Sequence, residues 1–125
     1  MSEIEKLREM SSSSLSDAKM VKQDSDRLFW NSLYYSLFYA AKAALQSKGI
    51  EPGTHSGTDR QLGKTFYKEK DMLTSDQTAF YSDIRRIREE MDYEPYTTVT
   101  REKDTALQKT ENLVQTLLEI SKEDE

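Results

Sequence analysis

The chain has 125 residues, which suits one domain with a modest core, and its formal net charge of −5 excludes a globally basic surface for nucleic acid. It holds no cysteine, so disulfides, thiolate zinc sites and cysteine nucleophiles are excluded. No apolar run approaches the ~20 residues that span a membrane, and the charged N-terminus lacks the apolar core of a secretion signal. We expect a cytoplasmic domain without a metal or other cofactor.

Helix-breaking residues are few and grouped along the chain. There are two prolines and four glycines, and four of these six residues fall between positions 49 and 57. Elsewhere apolar residues recur at spacings of three and four, which is the period of a helix with one buried face. We predict an all-α protein, an antiparallel, up-and-down four-helix bundle with an additional short helix, folded as one domain over residues 1–125.

The first two predicted helices are long. Helix one covers residues 3–23, although the serine run at 11–14 is a weak helix former that could fray it. Helix two begins after the potential N-cap side chains at 24–26 and runs to Lys48, with Gly49 as the residue that stops it. Helix two is apolar around much of its circumference, so we expect it to be central in the bundle or covered by a second chain.

An irregular loop at 49–57 leads into the remaining helices. Helix three is expected at 58–69, with Ser56 and Asp59 as potential caps. Helix four begins near Thr74, which has capping-box spacing to Gln77, and Pro95 ends it. Helix five begins around residue 98 or 100, and residues 121–125 form a loose tail.

Helix four carries a polar stripe beside its apolar one. Tyr81, Arg85, Arg88 and Asp92 recur at spacings of four, three and four. One interpretation is a solvated ladder of ion pairs, with Arg88 and Asp92 as an i,i+4 pair. The other makes Arg88 a phosphate ligand that Asp92 orients, with Tyr93 supplying a hydroxyl group or a stacking surface.

His55 is the sole histidine and lies between Thr54 and Ser56 in the glycine-rich loop. It either fixes the loop through hydrogen bonds to the backbone or serves as a general acid–base or phosphate contact, since its ordinary pKa is near neutral. A lone histidine cannot build a histidine-based metal cluster, so we predict no metal site. The loop lacks the glycine spacing and the Lys-Ser/Thr ending of a P-loop.

Helix two offers further polar groups. Tyr34, Tyr35 and Tyr39 are interpreted as core side chains whose hydroxyl groups reach the rim of the bundle. Asn31 is a polar residue on an apolar helix and is expected in a polar pocket or an interface. The predicted nucleotide- or phosphate-binding residues are Asn31, Tyr35, His55, Arg85, Arg88, Asp92 and Tyr93, of which His55, Arg88 and Tyr93 are also the catalytic candidates.

Three segments between Asn31 and Tyr93 resemble the HEPN domain. They read N-x-x-Y-Y-x-x-F-x-A-A-x-A-x-L at 31–45, G-x-x-P-x-x-H-S-G at 49–57 and R-x-x-x-D-Y at 88–93. The resemblance implies an antiparallel four-helix bundle, often with a short extra helix, that commonly forms a homodimer. It also implies a polar cleft between helices two and four, often at the dimer interface.

The resemblance also bears on activity. Many HEPN proteins are metal-independent endoribonucleases that use an arginine followed five positions later by histidine. Here that position after Arg88 is Tyr93, and Tyr39 stands where helix two of the family usually has histidine. The resemblance therefore implies a non-catalytic module that binds nucleotide or RNA, a minimal nucleotidyltransferase partner, or both, as part of a toxin–antitoxin-like pair. The alternatives are an RNA-cleaving toxin in which His55 or Tyr93 handles protons, and a helical dimer without a ligand.

Overall fold

The structure is a computed structural model that describes residues 1–94 and 96–123. Its five α-helices are α1 (Glu3–Val21), α2 (Asp26–Ser47), α3 (His55–Leu62), α4 (Ser75–Tyr93) and α5 (Lys103–Lys122). A π-helical segment, Gly63–Glu69, continues α3. The described residues form no β-strand. The predicted all-α bundle, with four long helices and one short one, is confirmed.

Polar contacts along the helices fix their directions. Three pairs join α1 to α5, with residue numbers that rise along one helix as they fall along the other: Arg8–Ser121, Lys19–Glu111 and Lys22–Asp104. The two ends of α2 instead contact the corresponding ends of α5, through Asp26–Lys103 and Lys48–Glu123. Thus α1 runs opposite to both α2 and α5, as an up-and-down bundle requires.

The helix α2 lies at the centre of the bundle, where it packs against α1, α3, α4 and α5. Its alanines at 40, 41, 43 and 44 are fully buried, and their small side chains let neighbouring helices approach closely. Large buried side chains fill the rest of the core, among them Trp30, Tyr34, Phe66, Tyr81, Ile84 and Leu117. The central position predicted for helix two is confirmed.

The helix α1 is continuous through the serine run, so the expected fraying at 11–14 is absent. Ser11 is fully buried, and its hydroxyl group donates to the backbone carbonyl of Ser36 on α2 at 2.7 Å. The small side chain therefore permits a close contact between α1 and α2, and the hydrogen bond satisfies its polar atom.

Several helix ends follow the prediction. Ser25 caps α2 by accepting from the backbone N–H of Leu28. Gly49 has a φ of 76°, and its N–H and that of Ile50 bond back to the last turn of α2, which is the glycine stop that was expected. Thr74 and Gln77 form the predicted capping box at the start of α4.

The predicted start of helix three is wrong by three residues. α3 begins at His55, because the hydroxyl group of Thr54 accepts from the backbone N–H of Gly57 at 2.8 Å. A Cβ atom at Gly57 would lie 2.8 Å from that oxygen, so glycine permits this cap. Ser56 and Asp59, which were predicted as caps, lie inside the helix. His55 is therefore helical rather than part of a loop.

The predicted limits of helix five are also wrong. α5 begins at Lys103, after an extended Glu102, because the preceding segment packs Val99 against the core instead of forming a helical turn. The helix continues to Lys122, and Ser121 is buried, so these two residues do not belong to a loose tail. Asp124, Glu125 and the expected helix stop at Pro95 lie outside the described residues.

None of the helices in the described part of the chain is long and apolar enough to cross a membrane.

Candidate functional site

Arg88 of α4 lies over two tyrosine rings of α2. Its guanidinium carbon is 4.7 Å from the ring centroid of Tyr34 and 5.7 Å from that of Tyr35, and only 13% of its side chain is exposed. One terminal nitrogen donates to Asp92 at 3.0 Å. The Nε atom is buried and has no hydrogen-bond partner within the described residues. The chain therefore leaves part of the donor fork of Arg88 unsatisfied.

His55 packs against the same tyrosines. Its ring centroid lies 4.3 Å from that of Phe38, 5.6 Å from that of Tyr34 and 5.9 Å from that of Tyr35. Its Nδ1 atom is 2.6 Å from the hydroxyl oxygen of Tyr34. The structure thus brings His55 and Arg88, 33 positions apart in the sequence, onto one aromatic surface of α2.

Burial sets the protonation of this cluster. It raises the pKa of Tyr34 to about 12, so the phenol keeps its proton near neutral pH. Burial, followed by the positive charge of Arg88, lowers the pKa of His55 from 6.5. A neutral imidazole beside a protonated phenol favours donation from Tyr34 to Nδ1, with the imidazole proton on Nε2.

Arg85 does not join this cluster as an unpaired cation. Its guanidinium donates to Asp59 of α3 at 2.7 Å and to Glu89 at 3.0 Å. Ser82 also donates to Asp59 at 2.7 Å. Because Asp59 lies one helical turn after His55, this network fixes the first turn of α3 against α4 and thereby positions the imidazole ring.

The predicted polar stripe of helix four is not polar throughout. Tyr81 is fully buried in the core, and its hydroxyl group has no partner within the described residues. Burial raises the pKa of Tyr81 above its usual value. At the other end of the stripe, Asp92 is 41% exposed and holds one side of Arg88.

Two of the predicted site residues lie apart from the cluster. Tyr93 is 89% exposed and lines a surface depression with Arg86 and Glu90 rather than contacting His55. Asn31 is half-buried one turn before Tyr35, and no hydrogen bond to its side chain is found within the described residues. The structure therefore brings together Tyr35, His55 and Arg88, with Asp92 at the edge.

Two members of the cluster, Tyr34 and Phe38, are absent from the predicted site residues. Tyr34 is a fully buried core residue, as predicted, yet its hydroxyl group contacts His55, and Phe38 forms the surface under the imidazole ring. Their spacing of four along α2 is the signal that places them on one face. The sequence around these two positions does not indicate which residue of another helix covers that face.

The described residues contain no group of three or more His, Asp or Glu side chains that could hold a metal ion. The cluster instead combines a largely buried guanidinium, a neutral imidazole, the fully buried ring of Tyr34 and the half-buried rings of Tyr35 and Phe38. Guanidinium binds phosphate oxygens in a bidentate geometry, and aromatic rings stack with nucleic-acid bases. The arrangement suits a phosphate-bearing, aromatic ligand.

The fold is a helical bundle in which α2, α3 and α4 together present the cluster of Tyr35, His55 and Arg88. The model of the HEPN domain matches residues 4–121, so the protein belongs to the HEPN family.

Two curated relatives match shorter stretches of the chain. The UPF0332 protein PH1297 of Pyrococcus horikoshii is 58% identical over 33 residues, which cover 26% of this chain and 23% of that protein. The protein named "Putative toxin MJ0142" of Methanocaldococcus jannaschii is 31% identical over 70 residues, or 56% of this chain and 47% of that protein. The alignments thus span less than half the length of either relative.

Proposed function

We propose that this HEPN module binds the phosphate of a nucleotide or RNA at Arg88, as one component of a toxin–antitoxin-like pair with a minimal nucleotidyltransferase. The observation that carries the proposal is the buried guanidinium of Arg88, whose Nε atom lacks a partner within the described residues. The name of the relative in Methanocaldococcus jannaschii supports the toxin-like part. The homodimer and the nucleotidyltransferase partner are proposed from the family.

Arg85 and Arg88 differ in the ion pairs that they form. This difference argues against the interpretation of the polar stripe on α4 as a ladder of ion pairs with only a structural role. Arg85 engages two carboxylates, Asp59 and Glu89, and so has a structural explanation. Among the described carboxylates Arg88 pairs with Asp92 alone, although its side chain is more buried than that of Arg85. An unpaired buried donor costs about 1–3 kcal/mol. A ligand oxygen at the exposed part of the Arg88 side chain would add a charge-assisted hydrogen bond from a terminal nitrogen and so favour keeping the guanidinium in this position.

A second candidate function, RNA cleavage without a metal ion, is supported by the position of His55. In the other tautomer, in which Nδ1 donates to Tyr34, the Nε2 atom of the neutral imidazole would be free to take the proton of a ribose 2′-hydroxyl group as its oxygen attacks phosphorus. The P–O bond to the 5′ oxygen would then break, that oxygen would take up a proton, and a 2′,3′-cyclic phosphate would remain. Arg88 would stabilise the negative charge on the phosphoryl oxygens.

The test is RNA binding and cleavage by the purified protein in EDTA, with wild type beside Arg88→Ala and His55→Ala. We expect Arg88→Ala to weaken RNA or nucleotide binding by about ten- to a hundredfold, the range of a lost hydrogen bond to a charged group. The midpoint of thermal unfolding of Arg88→Ala should stay close to that of wild type. Arg86→Ala is the matched control, since Arg86 is an exposed arginine on the same helix that pairs with Asp83.

The outcomes separate the candidates. Cleavage in EDTA that both Arg88→Ala and His55→Ala abolish would establish the enzyme. Binding without cleavage, lost only in Arg88→Ala, would establish the binding module. A variant at Arg88 that unfolds, or one that binds as tightly as wild type, would make Arg88 structural and overturn the proposal.

A further inference from the structure

A basic groove lies between α4 and the continuous segment formed by α3 and the π-helix. We call it the α3–α4 groove, and its polar lining consists of Arg60, Lys64, Tyr67, Lys68, Thr78 and Ser82, together with Asp59, whose carboxylate is engaged by Arg85 and Ser82. The three cations and the tyrosine come from the α3 side, whereas the two hydroxyl side chains come from α4. Tyr67 is 40% exposed although it is a large aromatic residue.

The π-helix aligns these cations. In a regular α-helix Lys68 would be turned about 80° from Arg60, because eight residues at 100° each exceed two full turns by that angle. In the structure the N–H of Lys70 bonds to the carbonyl of Thr65, five residues earlier, at 3.0 Å. This bonding widens the turn to about 4.4 residues, which returns Lys68 to nearly the same face as Arg60.

The groove keeps a positive charge that its own neighbours do not cancel. Residues 59–70 hold four cations and two carboxylates, in a chain with a net charge of −5. Asp59 is engaged by Arg85, and Lys64 reaches Glu69 only at 4.0 Å, with both side chains more than half exposed. No ion pair is found for Arg60 or Lys68 within the described part of the chain.

The α4 residues that line the groove lie on the same side of that helix as Arg88. Ser82, Arg85 and Arg88 are spaced by three along one side of α4, and Thr78 extends the line by one more turn. With a rise of 1.5 Å per residue, the axial distance from Thr78 to Arg88 is about 15 Å. That length accommodates a few nucleotides of a single strand, whereas a mononucleotide would fill only the Arg88 end.

We propose that the α3–α4 groove carries the single-stranded RNA that flanks a phosphate held at Arg88. The inference rests on the proposed function and extends it from a nucleotide to a strand of several nucleotides. Arg60, Lys64 and Lys68 contact successive phosphates, because a line of cations follows a phosphate backbone without reading its sequence. Tyr67 offers its exposed ring to one base.

The experiment compares the affinity for AMP with that for an unstructured RNA of about twelve nucleotides, measured by calorimetry and fluorescence anisotropy. The test variant is Arg60→Gln/Lys64→Gln/Lys68→Gln. The matched control, Lys6→Gln/Lys19→Gln/Lys122→Gln, removes the same charge from α1 and α5, which pack against α2. Circular dichroism verifies that both variants retain the helical content of wild type.

We expect the groove variant to lose at least about tenfold in RNA affinity, while its AMP affinity stays within twofold of wild type. The slope of log affinity against log salt concentration should fall by about 2, since each phosphate contact on a single strand contributes about 0.7. The control variant should lose less than about threefold, with an unchanged slope.

Other outcomes overturn one proposal or both. Equal RNA affinity and an equal salt slope in the groove variant and wild type would refute the groove while leaving the site at Arg88 intact. RNA binding that needs the groove but is unchanged in Arg88→Ala would refute the proposed function alone. A wild-type protein that binds neither AMP nor RNA would refute both, and the basic surface would then be tested against an acidic partner protein.

Discussion

The hydroxyl oxygen of Tyr34, in the middle of α2, lies 2.6 Å from Nδ1 of His55, the first residue of α3. This contact links the central helix of the bundle to a helix whose start depends on the Thr54 cap. It also holds the imidazole ring in one orientation through its Nδ1 atom. Because the chain has one histidine, any signal from an imidazole ring belongs to this contact.

We expect an NMR titration of His55 to give a pKa below 6.5, because burial and the charge of Arg88 disfavour its protonated form. Tyr34→Phe should raise that pKa, since it removes a donor that stabilises the neutral ring. Tyr67→Phe, at an exposed tyrosine, should leave the titration unchanged. A lowered pKa in Tyr34→Phe would mean that Nδ1 carries the proton and donates to Tyr34 instead, because that hydrogen bond favours the protonated ring.

The stability of the protein should depend on pH through the same residue. The folded-state pKa of His55 is lowered, so between its ordinary value of 6.5 and the folded value only the unfolded chain binds the proton. The free energy of unfolding is then higher above pH 6.5 and falls as the pH drops below it. Urea titrations at about pH 7.5 and 5.5 should show a larger loss in wild type than in His55→Asn. An equal loss in both proteins would contradict the prediction.

Asp59→Asn should lower the free energy of unfolding by about 1–3 kcal/mol, because Asp59 is only 12% exposed and accepts hydrogen bonds from Ser82 and Arg85 of α4. Glu89→Gln removes the other carboxylate on Arg85. That carboxylate is 41% exposed, so the loss should stay below about 1 kcal/mol. Chemical denaturation of the two variants gives the comparison. Equal losses would show that Asp59 does not hold α3 against α4.

Ser11→Leu should destabilise the protein by about 1–3 kcal/mol, because the larger side chain would force α1 away from α2 at a fully buried position. Ser12→Leu is the matched control on the exposed side of the same helix. The control should be neutral or slightly stabilising, since leucine forms helix better than serine. Thermal or urea denaturation would measure both. A neutral Ser11→Leu would mean that the contact between α1 and α2 is not tight at this point.

The helix ends that the sequence predicts correctly are those set by local chemistry. Gly49 reaches a positive φ that other residues avoid, and Thr74 with Gln77 satisfies its own backbone donors. The start of α3 is harder to predict, because Thr54, Ser56 and Asp59 are all chemically able to cap a helix. The choice of Thr54 depends on how closely the chain passes Gly57, which only the folded structure decides.

At the candidate site, too, the sequence predicts the contacts within one helix but not those between helices. Helical spacing places Arg88 beside Asp92 and groups the aromatic residues of α2, and both arrangements are present. His55 and Arg88 both contact Tyr34 and Tyr35 because α3 and α4 pack side by side against α2. This packing is tertiary, and no local sequence pattern predicts it. The exposure of Tyr93 has the same origin, because its side of α4 faces away from α2.

The π-helix has a consequence for how insertions and deletions act on this chain. A π-helical turn accommodates one residue more than an α-helical turn, so here the length of the segment, rather than the identity of any one residue, aligns the cations. A chain shortened by one residue between Lys64 and Lys68 would return to α-helical bonding, and the seven remaining steps from Arg60 to Lys68 would fall only about 20° short of two full turns. Such a variant would keep every charge of the α3–α4 groove and nearly their common direction, whereas a change that restored α-helical bonding at the present length would turn Lys68 about 80° away from Arg60.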